Sequence, residues 1–495
     1  MAYAARMLCS ITISSCVFSA LGQNPDSKRI DHWYFGYGAG LDFSSGTAVA
    51  DTNGAMHVWK GNTTMSDKEG NLLFYSDGRH VWNAQHDSMP NGDIWGIPPG
   101  VFPTDCAISI PKPGDDNIYY IFTSDGTKMS QQNGLQYHIV DMSLQGGLGD
   151  VVQKNIPLHS PVTEQLCAVR HGNNCDYWLI THEKHTANYL AFHISGLGVD
   201  PIPVVSTNGV SNLPWAQNSA EYTGAIILKA ATQGDKLASI TNRRWQNTGL
   251  SDQVQLSSFD TQTGSVSNSF IIELDSTFSG SCFSPNGQIF YVEHGSYTVE
   301  LDQFDVSQFD SVAVNNSRFN LRTSSVRTFA TDLACANDGK IYGTQPWGYV
   351  LNIDSIPVIN QPDVWGTGCM IEEWAVGLNG RFSQFAIPET VFDFSAPSAP
   401  DHCWAEIAML PDLAELRLCV DGDLLFLDLG GGRIYETLQA SIVDACGRRF
   451  CSERIIPTAT TRTSFSITGL SPGLYLLRLS GASGYHTSRS FVKPQ

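Results

Sequence analysis

The stretch His182-Glu183-Lys184-His185 combines two imidazoles with a carboxylate, which are side chains that commonly ligate zinc. Its spacing differs from H-E-x-x-H, in which two histidines share one face of a helix. The preceding run, Tyr177–Thr181, is typical of a β-strand, and in an extended chain His182 and His185 point to opposite faces. We therefore predict a polar turn without a metal, and we retain His182 and His185 as candidate ligand-binding residues.

Two acidic clusters could support glycoside hydrolysis, which needs a pair of carboxylates about 5–10 Å apart. Glu372 and Glu373 are adjacent, so they project to opposite sides if they lie in a strand. Glu293 and His294 form the other cluster, and solvated turn charges are the favoured interpretation of both. The chain shows no Walker loop and no dinucleotide-binding glycine motif between a strand and a helix, and we expect no catalytic residue, cofactor or metal.

Aromatic residues in loops are the more general indication of function. Trp95 lies in GDIWGIPPG and Trp347 in QPWGY, both rich in turn residues. Tryptophan in such loops can stack on a sugar face or anchor a protein partner. Packing between strands is the alternative, and Trp95 and Trp347 are the best candidates for binding.

The composition favours a folded all-β protein. Of 495 residues, 16% are charged and 11% are aromatic, and 45 are glycine, as expected for short strands and many turns. The formal charge of −19 leaves no basic stripe, so we expect no nucleic-acid partner.

The N-terminus has the pattern of a secretory signal. Arg6 precedes the apolar run Met7–Leu21, and cleavage after Gly22 is predicted. The run is shorter than the ~20 residues that cross a bilayer, so we expect export without a membrane span. Export permits disulfides, and short turn-rich spacings suggest two hairpin bridges, with buried thiols as the alternative. The candidate pairs are Cys167 with Cys175, and Cys446 with Cys451.

One local pattern recurs along the first three quarters of the chain: a Gly or Asn turn, a short apolar-aromatic strand, and another polar turn. Six copies are separated by 46 to 60 residues, the period of a four-stranded propeller blade. Their equivalent points are Leu72, Ile118, Tyr177, Leu237, Ile289 and Ile341. A seventh, split blade could close Trp33–Gly36 against Gly380–Glu389. We therefore predict a β-propeller of about seven blades over residues 23–392, with six or eight as alternatives.

The C-terminal part differs in composition. A Ser/Ala/Pro-rich linker covers residues 393–411, and residues 412–495 carry 9 basic and 8 acidic side chains. Short strand patterns with Gly turns repeat through this segment. They predict a small β-sandwich.

This tail resembles the type A C-terminal sorting domain of the type IX secretion system of Bacteroidetes. The matching stretches are ASIVDACGRRF (Ala440–Phe450), ITGLSPGLYLLRL (Ile467–Leu479) and SRSFVKPQ (Ser488–Gln495). The Pro-Asn-Pro usual near the start of that domain is missing. The resemblance implies that the secretion machinery reads the tail and that a sortase-like enzyme removes it. The residues implied as the sorting signal are Gly473, Tyr475, Phe491, Val492 and Lys493.

The N-terminal part resembles propeller modules of large Bacteroidetes surface proteins, of the kind that carry PKD repeats or gliding-motility-associated ends. The resemblance rests on WYFGYGAGLDFSSGTAVADTNGAM (Trp33–Met56), DKEGNLLFYSDGRHVWN (Asp67–Asn83) and CFSPNGQIFYV (Cys282–Val292), among others. It implies a protein on the cell surface or outside the cell, and it implies no particular chemistry.

We therefore expect an exported propeller that binds a glycan or a surface protein. A polysaccharide hydrolase or lyase working in the central funnel is the first alternative. A structural component of adhesion or gliding is the second. Carboxylates or histidines converging on the ring axis would favour the enzyme.

Overall fold

The structure is a computed structural model, and it describes most of the chain between residues 25 and 493. The described ranges are 25–94, 107–124, 133–184, 186–209, 225–241, 252–274, 278–295, 298–324, 332–345, 353–385, 387–388, 417–421, 424–428, 438–444, 448–455, 462–481 and 486–493.

The described chain is built almost entirely of antiparallel strands, so the all-β prediction is confirmed. Residues up to 388 form seven sheets in chain order. The first sheet contains β1 (His32–Phe35), β2 (Ala39–Asp42) and β3 (Val49–Asp51). The second contains β4 (Thr63–Ser66), β5 (Leu72–Ser76), β6 (His80–Asn83) and β7 (Ser88–Asp93). The third contains β8 (Ala107–Pro111), β9 (Ile118–Ser124), β10 (Leu135–Asp141) and β11 (Asp150–His159).

The fourth sheet is larger than its neighbours, with β12 (Val162–Arg170), β13 (Tyr177–Glu183), β14 (Asn188–Ser195), β15 (Gly198–Val199) and β16 (Val204–Thr207). The fifth contains β17 (Ala225–Ala230), β18 (Lys236–Thr241), β19 (Gln253–Asp260) and β20 (Ser265–Ile272). The sixth contains β21 (Phe278–Phe283), β22 (Ile289–His294), β23 (Val299–Asp305) and β24 (Phe319–Ser324). The seventh contains β25 (Leu333–Cys335), β26 (Ile341–Gly343), β27 (Ser355–Ile359) and β28 (Ile371–Gly377).

Helices are few in the described ranges. The α-helix α1 (Ser311–Asn316) precedes β24 and starts at Asp310, whose carboxylate accepts hydrogen bonds from the first-turn backbone. Short 3-10 turns occupy Pro25–Ile30, Gln145–Gly147 and Gly366–Cys369. None of these segments has the length and apolar character needed to cross a bilayer.

The recurring sequence pattern coincides with one structural position. All six predicted equivalent points lie at or next to the first residue of the second strand of a sheet, from β5 in the second sheet to β26 in the seventh. The turn before that strand needs a left-handed residue, which glycine supplies without strain. Gly287 is an example: its φ is 65°, and Ser284 and Ile289 pair across the turn.

Hydrophobic cores join the seven sheets in cyclic order. Separate clusters of buried side chains lie between each sheet and the next one along the chain. A further cluster packs Trp33 and Phe43 of the first sheet against Tyr342 and Val358 of the seventh. Each sheet thereby buries both of its faces, which a single four-stranded sheet in water cannot do.

The N-terminal 3-10 turn, Pro25–Ile30, lies against turns that connect first and second strands in other sheets. Asp26 forms ion pairs with Arg29 and with Arg170 of the fourth sheet. Arg29 also donates to the Tyr119 hydroxyl, at 3.2 Å. Burial raises the pKa of Asp26, but the charges of Arg170 and Arg29 outweigh it and hold the pKa below its usual value. This segment therefore bridges the third and fourth sheets through buried charges.

The tail contains two antiparallel sheets that share one core. One has the order β29 (Arg417–Asp421), β30 (Leu424–Asp428), β33 (Arg462–Ser466). The other has the order β32 (Arg449–Ile455), β31 (Leu438–Asp444), β34 (Gly473–Gly481), β35 (His486–Lys493). Buried residues from both sheets, including Leu425, Phe465, Leu477 and Phe491, form a single cluster.

Candidate functional site

The first strands of the fourth to seventh sheets meet around a small central cavity. Its lining includes Cys167 of β12, Lys229 of β17, Cys282 of β21 and Cys335 of β25. Its volume is about 70 Å³, whereas pockets for drug-sized ligands measure about 300–1,000 Å³. The central cavity is therefore of a size for a few water molecules or an ion and not for a saccharide.

An ion pair links non-adjacent sheets beside this cavity. The Lys229 Nζ atom of the fifth sheet is 3.0 Å from a carboxylate oxygen of Asp332, which immediately precedes β25 of the seventh. Both side chains are almost completely buried. Asp332 also accepts hydrogen bonds from the backbone N–H groups of Leu333 and Ile387, at 2.9 and 3.1 Å. The carboxylate is thus fully engaged in structure, and a pair of catalytic carboxylates does not converge here among the described residues.

The Glu293-His294 pair lies in β22, and both residues are buried, so the expectation of solvated turn charges is wrong for them. His294 Nε2 is 2.7 Å from Asp302 on the neighbouring strand, because the register of β22 and β23 places their side chains on one face. Ligand atoms of His294, Glu300 and Asp302 lie within 4.8 Å of one another, which is compact enough for a metal.

The guanidinium group of Arg318 supplies the positive charge that faces the carboxylates of this cluster. Arg318 donates to Asp302 at 2.7 Å and to Glu300 at 2.9 Å. Asn320 donates a further hydrogen bond to Asp302, at 2.9 Å. Burial raises the pKa of Asp302, but the hydrogen bond and charge of His294, followed by the contributions of Asn320 and Arg318, outweigh it and hold the pKa below its usual value. The cluster is charge-compensated by the protein itself, which favours a structural role.

Glu372 and Glu373 lie in β28 and alternate in exposure as the sequence predicted. Glu373 pairs with Arg322 of the sixth sheet at 2.8 Å. Glu372 is exposed on the other face. They therefore do not form a facing pair for glycoside hydrolysis.

A solvent-exposed apolar surface lies where the outer strands of the sixth and seventh sheets meet. We call it the aromatic surface, and it consists of Phe319, Val364, Trp365 and Met370. The Phe319 and Trp365 rings are in edge-to-face contact, with centroids 6.0 Å apart. Trp365 is 41% exposed and Met370 is 54% exposed. Exposed apolar side chains in mutual contact, as Phe319 and Trp365 are, are typical of interaction sites.

The loop that carries the aromatic surface is fixed to the sixth sheet. The side chain of Gln303 accepts from the Gly366 N–H at 2.7 Å and donates to the Val364 carbonyl at 3.2 Å. The Tyr291 hydroxyl donates to the Pro362 carbonyl at 2.7 Å. Met370 ends the loop with a φ of 56°, an unusual conformation for a side chain of its size. The aromatic surface is therefore pre-organised before any ligand arrives.

The predicted binding residues are differently placed. His182 is the penultimate residue of β13 and is only 2% exposed. Its Nδ1 atom is 3.0 Å from the Glu183 carbonyl oxygen, and its ring contacts Tyr189. Burial lowers its pKa, so it is a neutral core imidazole and not a surface ligand residue. Trp95, His185 and Trp347 lie outside the described residues. Sequence reasoning did not rank Trp365 above the other loop tryptophans. The apolar Val364 next to it in a polar loop was the one local indication of an apolar surface.

The predicted bridge between Cys167 and Cys175 is wrong. Cys167 keeps its thiol in the core between the fourth and fifth sheets, whereas Cys175 is in a disulfide. The strand register explains this, because Cys167 pairs with Ile180 well inside the hairpin and Cys175 lies in its turn. Two sulfur atoms so displaced along a hairpin cannot meet. Cys446 lies outside the described residues, as does the side chain of Cys451, so that bridge stays a prediction.

The residues implied as a sorting signal share three rungs of the last hairpin. Gly473 pairs with Lys493, and Tyr475 pairs with Phe491, their rings stacked with centroids 5.7 Å apart. Tyr475 and Phe491 are buried in the tail core, whereas Val492 is exposed. Lys493 donates to the Ile467 carbonyl at 2.6 Å. This hairpin is therefore docked on its domain.

Comparisons with known proteins identify no family. No family model matches the chain, and no curated protein matches it. Among solved structures, hydrazine synthase of Kuenenia stuttgartiensis is 10% identical with a TM-score of 0.33, covering 60% of this chain and 73% of that one. Hsv2 of Kluyvelomyces marxianus is 11% identical with a TM-score of 0.32, covering 65% of this chain and 84% of that one.

Proposed function

We propose that the chain is an exported interaction module: a seven-bladed β-propeller that binds a protein partner through the aromatic surface and leaves the cell by means of its C-terminal domain. The observation that carries the binding function is the pre-organised, exposed cluster of Phe319, Val364, Trp365 and Met370. Rigid apolar surfaces bind with little loss of conformational entropy.

The cyclic order of the cores supports the propeller. Seven clusters connect seven sheets, and the last cluster joins the seventh sheet to the first. The ion pair between Lys229 and Asp332 spans the fifth and seventh sheets, as expected if their first strands face a common centre. A Tyr37–Phe382 bridge beside β1 supports the predicted meeting of the two ends of the ring.

The chemistry around Trp365 favours a protein partner over a glycan. Its neighbours in the aromatic surface are apolar, and methionine and aromatic residues are enriched at protein interfaces. A sugar site needs placed hydrogen-bonding groups beside the stacking ring, and the Gln303 side chain of β23 that reaches this loop is already bonded to the loop backbone. The enzyme alternative is weaker, because Asp302 is paired with Arg318 and Glu373 is paired with Arg322.

A site-specific cross-linking experiment tests the binding function. The full-length protein would carry a photo-reactive amino acid in place of Met370, or in place of Leu197 as the matched control, since Leu197 is 67% exposed in the fourth sheet. We expect the same outer-membrane or extracellular protein to cross-link from position 370 and not from position 197. Trp365→Ala should weaken its binding by at least about 30-fold, as expected for an interface hot spot.

The same preparation would be tested for retention on a polysaccharide panel and for release of reducing ends. Retention that depends on Trp365 would replace the protein partner with a glycan. Release of reducing ends would overturn the binding proposal in favour of the hydrolase or lyase.

The export route is tested separately. Deleting Gly469–Gln495 removes the β34–β35 hairpin that carries the implied sorting residues. We expect this truncation to accumulate in the periplasm, while Ser488→Ala reaches the surface like the full chain. Surface delivery of the truncated protein would contradict a sorting role for the tail.

A further inference from the structure

Cys282 and Cys335 bring two thiols together where the first strands of the sixth and seventh sheets meet. Their Sγ atoms are 3.7 Å apart, although 53 residues separate them along the chain. Both sulfur atoms also lie within hydrogen-bond distance of the carbonyl oxygen of Phe283, at 3.1 and 3.2 Å. The two sulfur atoms are therefore fixed against one backbone group by the packing of β21 on β25.

We propose that Cys282 and Cys335 are a redox pair that closes to an inter-sheet disulfide when the protein meets a disulfide oxidant, R–S–S–R. The thiolate of one cysteine attacks the oxidant, forming a mixed disulfide and releasing one R–S⁻. The thiolate of the other cysteine then attacks the mixed disulfide and releases the second R–S⁻. Two protein thiols are oxidised, one external disulfide is reduced, and the two protons pass to the released thiolates.

The geometry makes this closure a local movement. A disulfide needs the sulfur atoms about 2.05 Å apart, so small side-chain rotations of Cys282 and Cys335 suffice if the strands keep their spacing. Both cysteines line the central cavity, so neither is enclosed by protein on every side. Cys335 is the more exposed of the two, so we assign the first exchange to it.

The environment also sets how readily the pair reacts. The hydrogen bond between the two thiols, together with burial, raises the pKa of Cys335 well above its usual value. The reactive thiolate is then scarce at neutral pH, and spontaneous exchange is slow. Cys175 is nevertheless in a disulfide, so oxidation of cysteines is compatible with the rest of the chain.

Peptide mapping of the full-length protein tests the pair directly. The protein would be incubated with and without oxidised glutathione, alkylated under denaturing conditions, and digested with trypsin. Cleavage after Arg244 and Arg318 isolates Cys282, and cleavage after Arg327 and Lys340 isolates Cys335, each as the only cysteine of its peptide. We expect oxidation to convert these two peptides into one cross-linked species that reduction separates again.

Variants supply the controls. Cys167→Ala changes another thiol that lines the central cavity and should leave the cross-link intact. Cys335→Ala should abolish it and leave Cys282 alkylated or glutathionylated. Oxidation should raise the Tm of the unsubstituted protein and of Cys167→Ala, but not that of Cys335→Ala.

Two results would overturn the proposal, and the first needs no variant. One is that Cys282 and Cys335 both remain alkylated after an oxidation that converts other thiols. The other is that each is recovered as a separate glutathione adduct, because the sulfur atoms then do not reach one another.

Discussion

Neutralising Asp332 would test how the sheets close around the central cavity. Asp332→Asn keeps the shape of the side chain and one of the two oxygens that accept from backbone N–H groups, but it removes the negative charge that faces Lys229. Lys229→Met keeps an apolar stem and leaves the carboxylate without its ammonium. Both side chains are more than nine-tenths buried, and the atoms of the pair are 3.0 Å apart.

The expected magnitude follows from burial. Removing one partner of a buried ion pair costs about 3–5 kcal/mol, because the remaining charge loses that partner in a medium of low polarity. We expect each single variant to lose about 3 kcal/mol of unfolding free energy. The double variant should lose less than the sum of the two, since it removes both charges together, with a coupling energy of about 2 kcal/mol.

The assay is urea unfolding at pH 7, followed by tryptophan fluorescence. Asp235→Asn is the matched control, because Asp235 pairs with Lys236 at 2.8 Å but is 52% exposed. That exposed pair should contribute less than about 1 kcal/mol. If Asp332→Asn costs no more than Asp235→Asn, the Lys229 pair is solvated, and the inference that the first strands face a common closed centre fails.

Two further predictions concern the N-terminal segment. Burial raises the pKa of Asp31 from 3.8 to about 6, so ionised Asp31 costs the folded state about 3 kcal/mol above pH 6, and this cost disappears as the pH falls towards 4. Asp31→Asn should therefore raise the Tm at pH 7.5 and leave it nearly unchanged at pH 4; equal effects at both pH values would show that ionisation is not the cause. Asp26→Ala should cost about 3–5 kcal/mol in urea unfolding, because it leaves Arg29 and Arg170 buried without their shared carboxylate. Asp116→Ala, which removes an exposed partner of Arg29, should cost less than about 1 kcal/mol, and similar losses for the two variants would contradict the bridging role of Asp26.

Local sequence patterns identified the repeating unit because each copy carries its own turn and strand chemistry. The glycine of each turn and the apolar-aromatic run after it are adjacent in sequence, so their relationship needs no knowledge of distant contacts. Ile118, Ile289 and Ile341 accordingly mark the second strand of three different sheets. The same local reasoning predicted that Glu372 and Glu373 face opposite ways.

Cysteine pairing and residue exposure were not predictable in this way. Cys167 and Cys175 are close in sequence but displaced along their hairpin, whereas Cys282 and Cys335 are distant in sequence and in contact. His182 is polar and lies beside charged residues, yet it belongs to β13 and its side chain is buried in the core. Cysteine pairing and side-chain exposure depend on strand register and on which neighbouring sheet packs against the strand.

The sequence by itself determined the all-β class, the repeating turn-and-strand unit and the compositional change before the tail, because these depend on local propensity and on residue spacing. Only the tertiary structure decided which residues meet. It brought Lys229 to Asp332 across a central cavity, and it left Phe319 and Trp365 exposed together at the edge of two sheets. The physical reason is that burial, ion pairing and thiol contact are set by packing between sheets, and that packing joins residues with no recognisable relation along the chain.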